Sequence, residues 1–163
     1  MLTIYCPVCY AANAETRSVC AECGASLAEE EAGDFTDRLL WALRHPEPTV
    51  APRAAWVLGE RRDRRAVEPL IALTARTREM GALEEAARAL GKIGDPCAIP
   101  TLVSLLRGSY VSVRVQAARA LGAIGDMCAV SALTQARADP SACVRAAAQE
   151  ALNALADREA SRR

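Results

Sequence analysis

A fixed period runs through most of this chain and constrains its fold more than any single residue does. Leu58-Gly59, Leu90-Gly91 and Leu121-Gly122 fall into one column, Asp63, Asp95 and Asp126 into a second, and Leu70, Leu102 and Leu133 into a third. The spacing is 32 and then 31 residues in every column. One supersecondary unit recurring at such a period cannot bury its apolar side alone, so the units must stack, and the chain reads as a solenoid.

Within the period the pattern is helical, and two kinds of helix alternate. A helices are expected over 50–59, 81–91, 111–122 and 141–156, and B helices over 64–75, 96–107 and 127–138. A helix capped by Asp34 and carrying Phe35, Leu39, Leu40 and Leu43 stands as an incomplete first B, stopped by His45-Pro46-Glu47-Pro48. Expected at the core of the A helices are Trp56 with Leu58, Ala87 with Leu90, Ala118 with Leu121, and Ala148 with Leu152. In the B helices the core positions are Val67, Ile99 and Val130 with Leu70, Leu102 and Leu133. Alanine is abundant at these places and aromatics make up only 4% of the chain, so the core is built from small groups that let backbones approach closely. Between A and B, Gly91-x-x-Gly94-Asp95 and Gly122-x-x-Gly125-Asp126 supply a glycine exit from one helix and an aspartate cap for the next. A phosphate-binding loop would need a strand before it and a lysine after it, and these turns have neither.

Ahead of the repeats, Cys6-Pro7-Val8-Cys9 and Cys20-Ala21-Glu22-Cys23 form a C-x2-C-x10-C-x2-C arrangement with Gly24 behind it. Two such knuckles can aim four thiolates at one ion, which suits a structural Zn²⁺ or an iron held by the same four ligands. Seven cysteines, four of them in tight pairs, point to metal ligation in a reducing compartment rather than to disulfides. The head also resembles the short bacterial zinc ribbons of the form CPxCGxxN, a linker, then CxxCGxxL, through Cys6, Pro7, Cys9, Asn13, Cys20, Cys23, Gly24 and Leu27. Tyr10 stands where that family often has glycine. The expected organisation is a zinc ribbon over 1–27, an acidic linker over 28–33 and a solenoid over 34–163.

The pattern AARALGxIGDxxAxxxL resembles the HEAT-like repeats named after the phycobilisome lyases, over about three quarters of the chain. Residues 86–102 and 117–133 are its fullest copies. Val113-Arg114 and Val144-Arg145 match the Val-Arg that opens the A helix in that family; Ala82-Leu83 and Val50-Ala51 depart from it. The resemblance implies an all-α, HEAT-like solenoid, a right-handed superhelix of about four helix pairs whose B helices line the concave side. It implies binding or scaffold roles, with bilin handling confined to some members.

Function is less legible. The chain has one histidine, His45, and no Ser-His-Asp set, so the expectation is an interaction module rather than an enzyme. No run nears the roughly 20 apolar residues of a membrane span, and the N-terminus lacks a signal-peptide pattern, so a cytoplasmic protein without membrane contact is expected. A protein partner is expected in the groove, along Trp41, Ala72, Arg76, Ser104 and Gln135, with Trp41 as the anchor. A second surface is the basic run Arg61, Arg62, Arg64 and Arg65, which could meet nucleic acid, although no aromatic residues are interleaved to stack on bases. A third reading is an accessory lyase-like protein or small-ligand carrier. Cys97 and Cys128, equivalent positions in the first turns of two B helices, read as half-buried apolar residues, and Cys143 likewise.

Overall fold

Aspartate caps and left-handed residues punctuate the chain into helices at the expected period. The computed structural model describes residues 3–6, 11–14, 16–24, 27 and 34–161. The fourth cysteine of the head, Cys9, and the linker at 28–33 lie outside the described residues. The long helices are α2 (Val50–Arg61), α4 (Met80–Ile93), α6 (Val111–Ile124) and α8 (Ala142–Ala160). The short ones are α1 (Phe35–Ala42), α3 (Val67–Arg76), α5 (Ile99–Leu106) and α7 (Val130–Ala136). They alternate as the A and B helices of a helical solenoid.

Helix boundaries differ from the sequence reading in two ways, each for a local reason. The B helices do not begin as α-helix: Arg64–Ala66, Pro96–Ala98 and Met127–Ala129 each form a turn of 3-10 helix first. There the Asp63, Asp95 and Asp126 side chains accept from the N–H of Arg65, Cys97 and Cys128, only two residues on, which tightens the turn. The A helices, in turn, run past Gly59, Gly91 and Gly122. Their true exits are Gly94 and Gly125, at φ 77° and 79°, with N–H groups that return to the Leu90 and Leu121 carbonyls. The equivalent exit of α2 is Arg62, a side-chain-bearing residue at φ 51°.

The inner glycines have a packing role. Gly59 lies against Ala89, Gly91 against Ala120 and Gly122 against Ala151, always the next A helix. α2, α4, α6 and α8 therefore pack along their lengths, whereas α5 and α7 meet at few places and the other neighbouring B helices at fewer. The A helices thus form a tightly packed layer and the B helices a looser one. The close spacing of the A layer comes from the Gly–Ala contacts between successive A helices.

Between the layers lies the core, with Leu58, Leu70, Leu90, Leu102, Leu121 and Leu133 fully enclosed among paired alanines such as Ala86-Ala87 and Ala117-Ala118. Each such leucine contributes about 1.5–3 kcal/mol by leaving water. Trp56 does not join them. It is 51% exposed, because it shares its place in the repeat with Arg88, Arg119 and Glu150, on the side of the A helix turned from the B layer. In α8 the enclosed leucine is Leu155, while Leu152 is only half-buried.

The head contains an antiparallel pair, β1 (Thr3–Tyr5) and β2 (Ala12–Ala14), with Ile4 opposite Asn13. Its Tyr5 ring meets that of His45, after α1, at 5.8 Å between centroids.

Candidate functional site

The β1–β2 ribbon brings the two halves of the cysteine pattern together. Cys6 follows β1 directly, and its N–H bonds to the Ala11 carbonyl at 3.0 Å across the hairpin. Cys20 begins a turn closed by the Gly24 N–H on the Cys20 carbonyl, with Gly24 at φ 72°. The sulfurs of Cys6, Cys20 and Cys23 lie within 4.8 Å of one another, Cys6 and Cys23 at 3.5 Å, with the first two buried and the third open. Thiolates about 2.3 Å from one tetrahedral ion stand roughly 3.8 Å apart. Convergence at that scale fits a single thiophilic metal ion, and these three cysteines could hold one.

Two arginines of the basic run are exposed but engaged by carboxylates. Arg65 reaches Asp34, Asp37 and Asp63 at 3.0–3.4 Å, and Arg64 reaches Asp95 at 2.7 Å. Arg61 lies over the Phe35 ring at 5.6 Å, while Arg62 is held by its backbone in the left-handed exit. The backbone N–H of Asp37 and the Arg65 guanidinium hold the Asp34 carboxyl below the usual range. Bonds from Arg65 do the same to Asp63, and bonds from Arg64 and the Cys97 N–H to Asp95. The edge is thus a charge-neutral clamp that ties α1 to the stack.

Trp41, Ala72, Ser104 and Gln135 are exposed on the B helices, Trp41 at 40%. Gln135 accepts a hydrogen bond from Arg107, and Arg76 donates to the Leu43 carbonyl, bracing α3 against the end of α1. A different, unanticipated clamp holds the last repeats together. Arg114 pairs with Asp139 at 2.9 Å, both largely enclosed, and also donates to the Gly108 and Ser109 carbonyls. The Val-Arg pair of the repeat was the signal for it, and Arg145 makes the corresponding bonds to the Asp139 and Pro140 carbonyls.

Cys97, Cys128 and Cys143 are exposed, contrary to the half-buried reading. Each of the first two sits in a 3-10 turn, which swings it outward beside its capping carboxylate. Hydrogen bonding to Asp95 raises the Cys97 thiol, and Asp126 does the same for Cys128, opposite to the lowering that a helix N-terminus gives alone.

Among the described residues, Trp56 is the one large apolar side chain exposed on the middle turns of an A helix. Its column continues as Arg88, bonded to Glu84 and Glu85 on its own helix, then Arg119 and Glu150. No described helix is long and apolar enough to cross a membrane.

Comparison with known proteins places this geometry. The sequence profile described as HEAT repeats matches residues 36–114 and 99–162. Human deoxyhypusine hydroxylase, solved in complex with glycerol, is similar at 26% identity and a TM-score of 0.66 over 78% of this chain. That match spans 45% of the hydroxylase, so the chain has about half its length in common. The complex of CpcE and CpcF of phycocyanin lyase from Nostoc sp. PCC7120 is similar in fold at 24% identity and a TM-score of 0.52, over 87% of this chain and 70% of that one. No curated protein matches the chain. These neighbours correct the expectation that the chain is not an enzyme. The lack of a Ser-His-Asp set bears on one chemistry only, and the same fold occurs in a hydroxylase and a lyase.

Proposed function

The chain belongs to the HEAT-repeat family, and from that premise we propose that it is a lyase-like scaffold holding a protein partner against its A-helix face. The observation that carries this reading is Trp56, a large ring left half in water on the tightly packed layer, where a rigid surface presents it. The similar lyase is itself a complex of two chains, which supports a protein as the partner. The Trp41, Ala72, Ser104 and Gln135 row lies on the B-helix face and is the alternative seat.

In the same proposal the head is held by zinc, through Cys6, Cys20 and Cys23 with Cys9 as the fourth ligand. Three convergent sulfurs support this, and four thiolates suit zinc. Bound there, the ion would supply folding free energy on the order of 10 kcal/mol to the head.

Capture with the tagged 163-residue chain, followed by affinity measurement on the partner identified, tests the surface. Trp56→Ala should weaken binding at least tenfold, and Trp41→Ala should leave it unchanged. The reverse result moves the seat to the B-helix face, and loss of nucleic acid retention on Arg61→Glu with Arg65→Glu would replace the reading altogether. A visible absorbance that copurifies with the chain would extend it to ligand handling. Elemental analysis of chelator-free protein should find one zinc per chain.

A further inference from the structure

Asn13 is one of three buried polar residues in the described chain, and it lies in the head rather than in the solenoid core. It is the middle residue of β2, and because side chains alternate along a strand, Asn13 turns inward while Ala12 and Ala14 face water. A buried amide without partners costs about 1–3 kcal/mol, so its partners show why it is there. Its Nδ2 donates to the Ala11 carbonyl at 2.7 Å and to the Cys20 sulfur at 3.6 Å, and its Oδ1 accepts from the Ala21 N–H at 3.0 Å.

These partners fix which end of the amide is which. A backbone carbonyl can only accept and a backbone N–H can only donate, so the oxygen must face Ala21 and the NH₂ must face Ala11. The second hydrogen of that NH₂ then points at the Cys20 sulfur. The same side chain spans both halves of the metal pattern, since Ala11 follows the first cysteine pair and Ala21 sits inside the second.

We propose that Asn13 is a positioning residue for the thiol cluster. It locks the two knuckles in register and donates an N–H···S hydrogen bond that orients the Cys20 thiolate and draws electron density from it. Groups that orient metal ligands typically change metal affinity by about 10- to 100-fold when lost. The inference rests on the reading that the head binds a metal, and the test separates the two.

Cobalt(II) alone is titrated into the reduced, metal-free 163-residue chain and into Asn13→Asp and Asn13→Ala. Asn13→Asp keeps the oxygen for Ala21 and removes both donated bonds; Asn13→Ala removes all three. Both should bind about 10- to 100-fold more weakly, with the helical circular dichroism of the solenoid unchanged. At saturating cobalt the thiolate-to-metal charge-transfer band of both should move to longer wavelength, because a sulfur without its N–H donor is more electron-rich. A loosened head would lower affinity without moving the band of the bound form. Wild-type band positions in both variants would overturn the positioning role, and absence of any cobalt–thiolate band in the wild-type chain would overturn the metal reading itself.

Discussion

Gly91 and Ala120 touch backbone to backbone: a Cβ placed on Gly91 would stand 2.7 Å from both the Cα and the Cβ of Ala120. The same relationship joins Gly59 to Ala89 and Gly122 to Ala151, so the spacing of the A layer is set by a hydrogen atom where any other residue has a carbon.

Gly91→Ala is accordingly expected to destabilise the protein by about 1–3 kcal/mol, since the obstructing atoms are main chain and cannot swing aside. Gly81, in the first turn of α4, is the internal control, because nothing lies within 4 Å of its added Cβ. Gly81→Ala should be neutral or stabilising, by up to about 1 kcal/mol. Urea unfolding followed by circular dichroism measures both, and equal effects would contradict the close approach.

Arg62 holds the left-handed exit that glycine holds in the two following repeats. A left-handed residue with a Cβ costs roughly 1–2 kcal/mol, so Arg62→Gly should raise stability by about 1 kcal/mol. Gly94→Ala should lower it by a similar amount, and the two variants compared in one denaturant series form the test.

Acid should unfold the stack through its clamps. Arg114 holds the Asp139 carboxyl below its ordinary range, and Arg65 and Arg64 do so for Asp63 and Asp95. A carboxyl lowered in the folded state gives stability that is present above its unfolded value of about 3.9 and is lost as pH falls through the folded value. The melting temperature should therefore fall below about pH 4. Asp139→Asn should flatten that decline. Asp34→Asn should do so less, and hardly at all in salt of about 1 M, because its pair with Arg65 is exposed and screened there.

Exposure alone would make Cys97 an easy target for alkylation, but its thiolate is disfavoured by Asp95. Iodoacetamide at pH 8 should react with Cys97 more slowly than with an unstructured cysteine. Asp95→Asn, which retains a capping oxygen and removes the charge, should speed the reaction severalfold; an unchanged rate would mean that the carboxylate does not control the thiol.

The period, the aspartate caps and the leucine columns are legible in the sequence because each repeats, and a repeated position averages out local accident. The structure differs where a residue type has two common roles and packing selects the less obvious one. Trp56 looked like core because it is apolar, yet Arg88, Arg119 and Glu150 in the same column already marked that place as solvent-facing. Gly91 suggests a helix exit because glycine commonly is one; the neighbouring helix makes it a contact instead. The Val-Arg pair marks Arg114 but not Asp139 as its partner, and the reach of Asn13 to Cys20 has no signal in the chain order, since both join residues whose proximity depends on how the backbone folds back.

Unequal spacing of the two layers also gives the stack a mechanical grain. Length along the A layer is fixed by main-chain contact, as in any close-packed interior, so that layer acts as the neutral surface of a bending beam. Opening or closing of the curve is taken up across the gaps between B helices. Distances between Trp56 and its column neighbours should stay nearly constant under such bending, while those from Trp41 to Ser104 and Gln135 should change. The molecule thus carries a ruler in its A layer and a bellows in its B layer.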